Sequence, residues 1–333
     1  MTRHRRRLSF LLLVAALVLM VFASLALGSN PLSLSAVIEA LSGRGDTISR
    51  TVVIDQRIPR TLVVMLVGAA LGVAGALMQA LTRNPLADPG ILGINAGASL
   101  AVVTGVAFLG IQGIGSYIWL SLIGAVLASI GVYVLGGVGR ASVSPARLTL
   151  AGVAISMAIS AFVQMILLSN QNAFNEFRFW AAGSVEGRGV DVLLTISWMI
   201  ALGLFLALLV APSLNALSLG EETGKALGVK VGLTRTLVVI SVTFLCGAAT
   251  AAVGPIMFVG LAVPYMARAI CGADQRLVIP TCVVAAPVFL LFADIAARLV
   301  VAPLEIQTGI MSALVGGPVF LYIVRGKNLE TFS

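Results

Sequence analysis

Long apolar runs alternate with short polar breaks along the whole chain. Ten runs stand out, roughly 8–27, 61–80, 91–110, 117–137, 148–168, 191–211, 236–253, 256–270, 278–298 and 307–324, the eighth being short. A hydrocarbon core about 30 Å thick takes about 20 residues of helix, so these runs read as membrane spans. They lack the apolar/polar alternation of strands, which predicts a helical bundle rather than a barrel. The second run carries the clearest detail. Arg57 and Arg60 precede it, Gly68, Gly72 and Gly75 lie along it where a neighbouring helix can approach closely, and Arg83, Asn84, Pro85, Asp88 and Pro89 end it as an inner hinge. The expectation is an all-α membrane protein of about ten transmembrane helices, forming one polytopic domain over residues 1–333.

Composition agrees with the pattern. Apolar residues make up 59% of the chain and charged ones 10%, too little polar surface for a soluble domain to cover itself. Charge placement sets the orientation. With the N-terminus and every second loop in the cytoplasm, the inner side holds 14 of the 21 Lys and Arg and five of the 13 acids. These basic residues are Arg3, Arg5, Arg6, Arg7, Arg83, Arg140, Arg147, Lys225, Lys230, Arg235, Arg268, Arg276, Arg325 and Lys327, and both termini are expected to be cytoplasmic. The net charge of +8 is therefore a topology signal. It does not point to nucleic acid, because the basic residues are scattered over loop ends with no aromatic platform beside them.

The basic start followed by an apolar run has the look of a secretory signal, but the run to Leu27 is longer than a signal's apolar region and leads into further spans, so it reads as an uncleaved first span. Cys246, Cys271 and Cys282 lie in or beside apolar segments without CxxC spacing and read as packing residues. A weak repeat runs at an offset of 175 residues: Arg60-Thr61-Leu62-Val63-Val64 recurs as Arg235-Thr236-Leu237-Val238-Val239, Gly72 falls on Gly247, and Pro89 falls on Pro264. The two copies begin five spans apart, so the second would be inverted relative to the first, an arrangement common in transporters.

Little in the chain offers catalysis. The single histidine is His4, near the N-terminus, which leaves no His-based metal site, triad or general base in the bundle. Gly220-Glu221-Glu222-Thr223-Gly224-Lys225-Ala226 has three residues between its glycines where a P-loop has four, and Ala226 stands where a P-loop holds magnesium through Ser or Thr. Any ATP dependence must then come from another chain. Asp294, an intramembrane carboxylate, raises the alternative of a proton-coupled secondary transporter; Arg298 lies four residues on along the same helical face, and a structural ion pair is the simpler reading. The segment Pro212 to Arg235 is too polar to span. It offers Leu214, Leu217, Ala226 and Leu227 as apolar faces of a pair of short helices, with Gly228 suited to a left-handed cap between helices.

Seven motifs then carry a family resemblance: RIPRTL at 57–62, RNPLADPGILG at 83–93, RLTLAGVA at 147–154, WAAGS at 180–184, ALGVKV at 226–231, GPIMFVGLAVP at 254–264 and GGPVF at 316–320. In this order the chain resembles the FecCD-type permease subunits of binding-protein-dependent ABC importers for iron-siderophore complexes, a family that includes cobalamin and haem permeases. RNPLADPGILGINAGAS and RLTLAGVA are most similar to the ferric-enterobactin, catecholate type. One departure is Tyr265, which follows Pro264 where the family commonly has histidine.

The resemblance implies a transport subunit of the cell (inner) membrane with no catalytic or metal site of its own. It implies a second permease subunit, identical or paralogous, two cytoplasmic ABC ATPases that carry ATP and magnesium, and a periplasmic or lipid-anchored binding protein that delivers the ferric siderophore; a cobalamin or haem cargo is the alternative. Residues 213–235 resemble the ATPase-coupling segment, with Leu219, Gly220, Ala226, Leu227 and Gly228 as coupling residues and Ala226-Leu227-Gly228 at its turn. Arg57, Arg60 and Arg298 match positions that receive acidic residues of the binding protein, and segments 140–147 and 170–184 are similar to regions near the gates.

Overall fold

A computed structural model of the chain describes residues 3–29, 32–44, 46–137 and 145–325. Arg140, Lys327 and residues 140–144 of the first gate-like segment lie outside the described residues. All regular elements among the described residues are helical. They are α1 (Arg3–Ala26), α2 (Leu34–Leu41), α3 (Thr47–Thr51), α4 (Ile58–Thr82), α5 (Ile94–Leu109), α6 (Ile114–Leu135) and α7 (Pro145–Ser169). There follow α8 (Gln171–Ala181), α9 (Val190–Ser218), α10 (Glu221–Ala226), α11 (Val231–Val253), α12 (Val259–Cys271), α13 (Gln275–Leu299) and α14 (Thr308–Arg325). Seven of the helices among the described residues are long and apolar enough to cross a membrane, and α5, α12 and α14 are shorter apolar helices. Each of the ten apolar runs falls on one of these helices.

The central element is α4, buried along nearly its whole length and packed against α9, α11, α12 and α13. Its glycines explain how so many helices fit around it. A Cβ on Gly68 would come within 2.9 Å of the Pro287 backbone, one on Gly72 within 2.5 Å of the Ala286 methyl, and one on Gly75 would overlap the Gly260 carbonyl. Small residues thus set the helix spacing where lipid supplies no hydrophobic drive for association.

Three boundaries differ from the sequence expectation. The helical path into α4 begins earlier, since α3 continues through a π-helical turn (Val52–Arg57) into α4, and Pro59, which brings no N–H to the helical ladder, stands directly after that irregular turn. The third run starts later: Pro89–Leu92 forms a 3₁₀ turn capped by Asp88, and α5 begins only at Ile94. The largest correction is at Pro212, which does not end its helix. α9 runs through it to Ser218 and buries Leu214 and Leu217 against the bundle, so the expected pair of short helices is instead the end of α9 plus the single short α10. Proline inside a membrane helix is tolerated where neighbouring groups take up the freed backbone.

Side-chain contacts define two ends of the bundle. At one end Arg60 of α4 reaches Asp294 of α13. At the other, Arg83 after α4 donates to the Leu217 carbonyl of α9, and Arg235 of α11 pairs with Glu221 of α10. α4 and α11, which carry the two copies of the repeat, therefore start at opposite ends, as inversion requires. The connections that follow them share a further feature, Arg83 being the cap that ends α4 and Phe258 the cap that starts α12 after α11. Arg83 and Phe258 are the two non-glycine residues with positive φ among those described, at 51° and 70°, and they stand at the same 175-residue offset.

Gly75→Val tests the central packing. Overfilling a tight core costs about 1 to 3 kcal/mol, and a clash with backbone sits at the upper end. The detergent-solubilised variant is expected to melt several degrees lower in a thermal unfolding assay, while Gly317→Ala, whose added methyl meets nothing within 4 Å, keeps the wild-type transition.

Candidate functional site

At the Arg60 end, Asp294 is fully buried and its carboxylate is surrounded by donors. Arg60 Nη2 donates to Oδ1 at 2.8 Å, Arg298 Nη2 lies 3.0 Å from Oδ2, and the Thr308 hydroxyl donates to Oδ1 at 3.1 Å. Arg60 also reaches Glu305 through Nη1 at 2.7 Å. Arg298, 2% exposed, donates to the Ser24 and Leu27 carbonyls and to the Ser24 hydroxyl, so α1 is held to α13. Arg57, 7% exposed, donates to the carbonyls of Leu25 and Ala26 at 2.6 and 2.9 Å. These orphan carbonyls at the end of α1 are what a cation at a helix C-terminus satisfies. The ion pair expected between Asp294 and Arg298 is present, and Arg60 makes it a triad.

Above this network lies a cavity of about 550 Å³, with Arg57, Arg60, Arg188 and Arg298 as cations and Asp55, Glu186 and Glu305 as acids in its lining. The structure thus brings together Arg57, Arg60 and Arg298, and it places their donors inside the chain rather than leaving them extended. Sequence reasoning missed Arg188 and Glu305. Arg188 stands between two glycines, in Gly187-Arg188-Gly189, which the sequence shows, but its burial, 8% exposed, is visible only in the structure.

The other expected residues gather at the opposite end. Gly228, at φ 84°, closes α10: its N–H bonds the Lys225 carbonyl and the Val229 N–H bonds that of Gly224, the two bonds of a Schellman cap. Glu221 anchors the helix through Arg235 at 2.8 Å and Lys225 at 3.1 Å, and these partners hold its carboxyl below the usual range. Leu219 and Leu227 flank α10 at 67% and 63% exposed, with Gly220 and Ala226 between them at the helix ends. Arg83 caps α4 in a left-handed conformation, Asn84 accepts from the Leu86 N–H, Pro85 follows in the turn, and Pro89 is buried at the start of the 3₁₀ turn. Tyr265 is half-buried on α12.

Five of the seven motifs meet one another in the fold. A Cβ on Gly152, in RLTLAGVA, would overlap the Ile91 carbonyl of RNPLADPGILG. WAAGS meets GPIMFVGLAVP where the Ser184 N–H donates to the Val253 carbonyl at the end of α11 and Gly183 abuts Pro255. Gly316 of GGPVF lies against Phe258.

Motifs that meet in space across the chain are the mark of a shared fold, and comparison with known proteins bears this out over residues 16–326. The chain belongs to the FecCD transport family. It is 44% identical over 316 residues to the ferric enterobactin transport system permease protein FepD of Escherichia coli (strain K12), covering 95% of this chain and 94% of that one. YfiZ of Bacillus subtilis (strain 168), named for siderophore transport, is 41% identical over 318 residues, covering 96% and 94%. A solved transporter described as of metal-chelate ABC type, in an inward-facing conformation, superposes with a TM-score of 0.84 at 26% identity, covering 95% of this chain and 98% of its own. Other relatives in the family are named for ferric citrate, ferric hydroxamate and hemin, so membership fixes the transport class more firmly than the chelate.

Asp294→Asn tests the buried triad. Removing one partner of a buried ion network costs about 3 to 5 kcal/mol, because the remaining charges stay buried without compensation. The variant is expected to melt well below wild type in detergent, whereas Glu305→Gln, at the 15% exposed partner, shifts the transition far less.

Proposed function

We propose that this chain is the membrane permease subunit of an ATP-driven importer that carries an intact ferric siderophore, of catecholate type, into the cytoplasm. The observation that carries the reading is family membership along nearly the whole chain, with the ferric-enterobactin permease at 44% identity for the cargo class. The charge bias supports placing the α10 end in the cytoplasm of an inner membrane. ATP hydrolysis then takes place on two partner ATPases, a second permease subunit completes the path, and a binding protein docks over Arg57, Arg60 and Arg298.

Coupling is mechanical in this reading. The exposed Leu219 and Leu227 fit an apolar socket on an ATPase, and the Glu221–Arg235 pair ties α10 to α11 so that movement of the socket moves the bundle. Pro85 and Pro89 make the turn between α4 and α5 an inner hinge, and segment 170–184, comprising α8 and the WAAGS turn, serves as the outer gate region. Against a proton-coupled transporter, both oxygens of Asp294 already accept from the chain's own donors.

The deciding experiment is uptake of radioactive iron into proteoliposomes holding the permease, its ATPase and its binding protein, with the ferric catecholate enterobactin, a ferric hydroxamate, ferric citrate and hemin offered in turn. Enterobactin uptake that requires ATP is expected. Uptake that survives a hydrolysis-dead ATPase but collapses with the proton gradient would overturn the reading. In the same vesicles Gly228→Val, which forces a β-branched residue into a left-handed position, should cut binding-protein-stimulated ATP hydrolysis severalfold while the permease still inserts.

A further inference from the structure

At the end of the bundle opposite Arg60, a groove of about 430 Å³ lies between the start of α1, the end of α12 and the start of α13. Phe10, Ile270, Leu277 and Pro280 give it an apolar lining, and Arg6 and Arg7 are the charged residues in it. Thr281, also in the lining, is already committed, its hydroxyl donating to the Leu277 carbonyl at 2.7 Å. No acid lines the groove, and among the described residues no carboxylate pairs with Arg6 or Arg7. The Nε of Arg6 is buried without a partner. α1 is long and apolar enough to cross a membrane and leaves Leu8, Leu11 and Leu12 exposed, so this side of the bundle faces acyl chains. Arg6 and Arg7 directly precede that apolar run, which sets them at headgroup level, and the charge bias makes it the cytoplasmic leaflet.

We infer that this groove is a site for an anionic phospholipid of the cytoplasmic leaflet, its phosphate on Arg6 and Arg7 and an acyl chain along Phe10, Ile270 and Leu277. Each half of the groove asks for one half of that ligand. Two guanidinium forks without a counter-ion match phosphate oxygens, and a basic pocket between membrane helices on the cytoplasmic side suits an anionic headgroup. A free phosphate would leave the apolar lining uncovered, and a zwitterionic lipid would bring a second cation to the arginines.

The groove is joined to the α10 end of α9 by the connection between α12 and α13. A Cβ on Gly272 would lie 3.4 Å from Nη2 of Arg6, so this arginine packs on that connection. Asp274 then caps α13 and accepts from Asn215 Nδ2 at 2.5 Å, while the Gln275 N–H donates to Asn215 Oδ1 at 2.8 Å. Asn215 stands in the last turn of α9, past Pro212 and just ahead of α10. A lipid drawn onto Arg6 therefore bears on the segment that leads into α10. The site itself stands on charge and shape, and only its effect on ATP hydrolysis rests on the importer reading.

The test takes the complete permease–ATPase complex, stripped of lipid in detergent, titrates it with phosphatidylglycerol and counts the retained lipid by native mass spectrometry. Wild type is expected to hold phosphatidylglycerol at least tenfold more tightly than phosphatidylcholine with the same chains. Arg6→Gln with Arg7→Gln should remove that preference. Arg5→Gln with Arg276→Gln, which takes the same charge from exposed positions outside the lining, should keep it. Leu277→Trp, which fills the groove and spares the arginines, should lose the lipid as well. Equal loss in the two double variants would mean a diffuse basic surface and overturn the site. Equal retention of the two lipids, glycerol phosphate binding as tightly as phosphatidylglycerol, or full retention in Leu277→Trp would each overturn it too. So would a wild-type complex that retains no phosphatidylglycerol because a partner subunit covers the groove. If the Arg6 and Arg7 double variant melts at a lower temperature, Arg7→Gln alone, at an exposed position, decides: a reduced preference with intact melting supports the site, and an unchanged one overturns it. In nanodiscs, binding-protein-stimulated ATP hydrolysis should rise severalfold as phosphatidylglycerol replaces phosphatidylcholine in wild type and stay flat in Arg6→Gln with Arg7→Gln. Lipid bound without that response overturns the link to α10 and leaves the site. A complex whose hydrolysis ignores the binding protein in either lipid overturns the importer reading, while the lipid counts still decide the site.

Discussion

The bundle is organised around one buried carboxylate. Asp294 has no contact with solvent, yet Arg60 and Arg298 converge on it from α4 and from its own helix, and Thr308 closes the set from α14. Charges at such depth are tolerable only as a complete set, since each ion would otherwise be left in low dielectric without a counter-charge. Completeness has a geometric result. Arg298 places its remaining donors on the carbonyls at the end of α1, and Arg57 does the same from the π-helical turn, so α1, α4, α13 and α14 are fixed to one another at one end by polar bonds as well as by the apolar clusters around Leu25 and Met311.

The other organising constraint is the absence of side chains. Along α4 the three glycines admit the backbones of α12 and α13, and the motif residues Gly152, Gly183 and Gly316 do the same for loops and helix ends elsewhere. Polar networks fix the ends and close backbone approach fixes the middle. Between them, the apolar residues that dominate the composition mostly fill space and face lipid.

The all-helical build, the close packing along α4 and the inverted order of the two halves were legible in the sequence, because each follows from span length, small-residue spacing or repeat offset. The repeat was faint as letters and is firmer as geometry: Arg83 and Phe258 share nothing chemically, but at the same offset both take a positive φ. What was not legible depended on neighbours. Pro212 looked like a stop, and only the packing of Leu214 and Leu217 against the bundle shows why α9 continues past it. Arg57, Arg60 and Arg298 were picked out as a group, but their inward commitments rely on Glu305 and on the carbonyls of Ser24 to Leu27, which no local pattern announces. Arg188 was passed over because its burial comes from the fold around its loop and not from its own sequence neighbours.

The uninterrupted course of α9 has a mechanical meaning. Its first residue is two positions after Arg188 and its last is three positions before α10, so a single helix of 29 residues, about 43 Å long at the usual rise, joins the two faces of the molecule. A rod of that kind carries thrust and torque from one face to the other without a relay of side-chain switches, and its one soft joint is Pro212, close to the α10 end. Axial displacement at either face would then arrive at the other with little loss, while bending is confined to the last two turns.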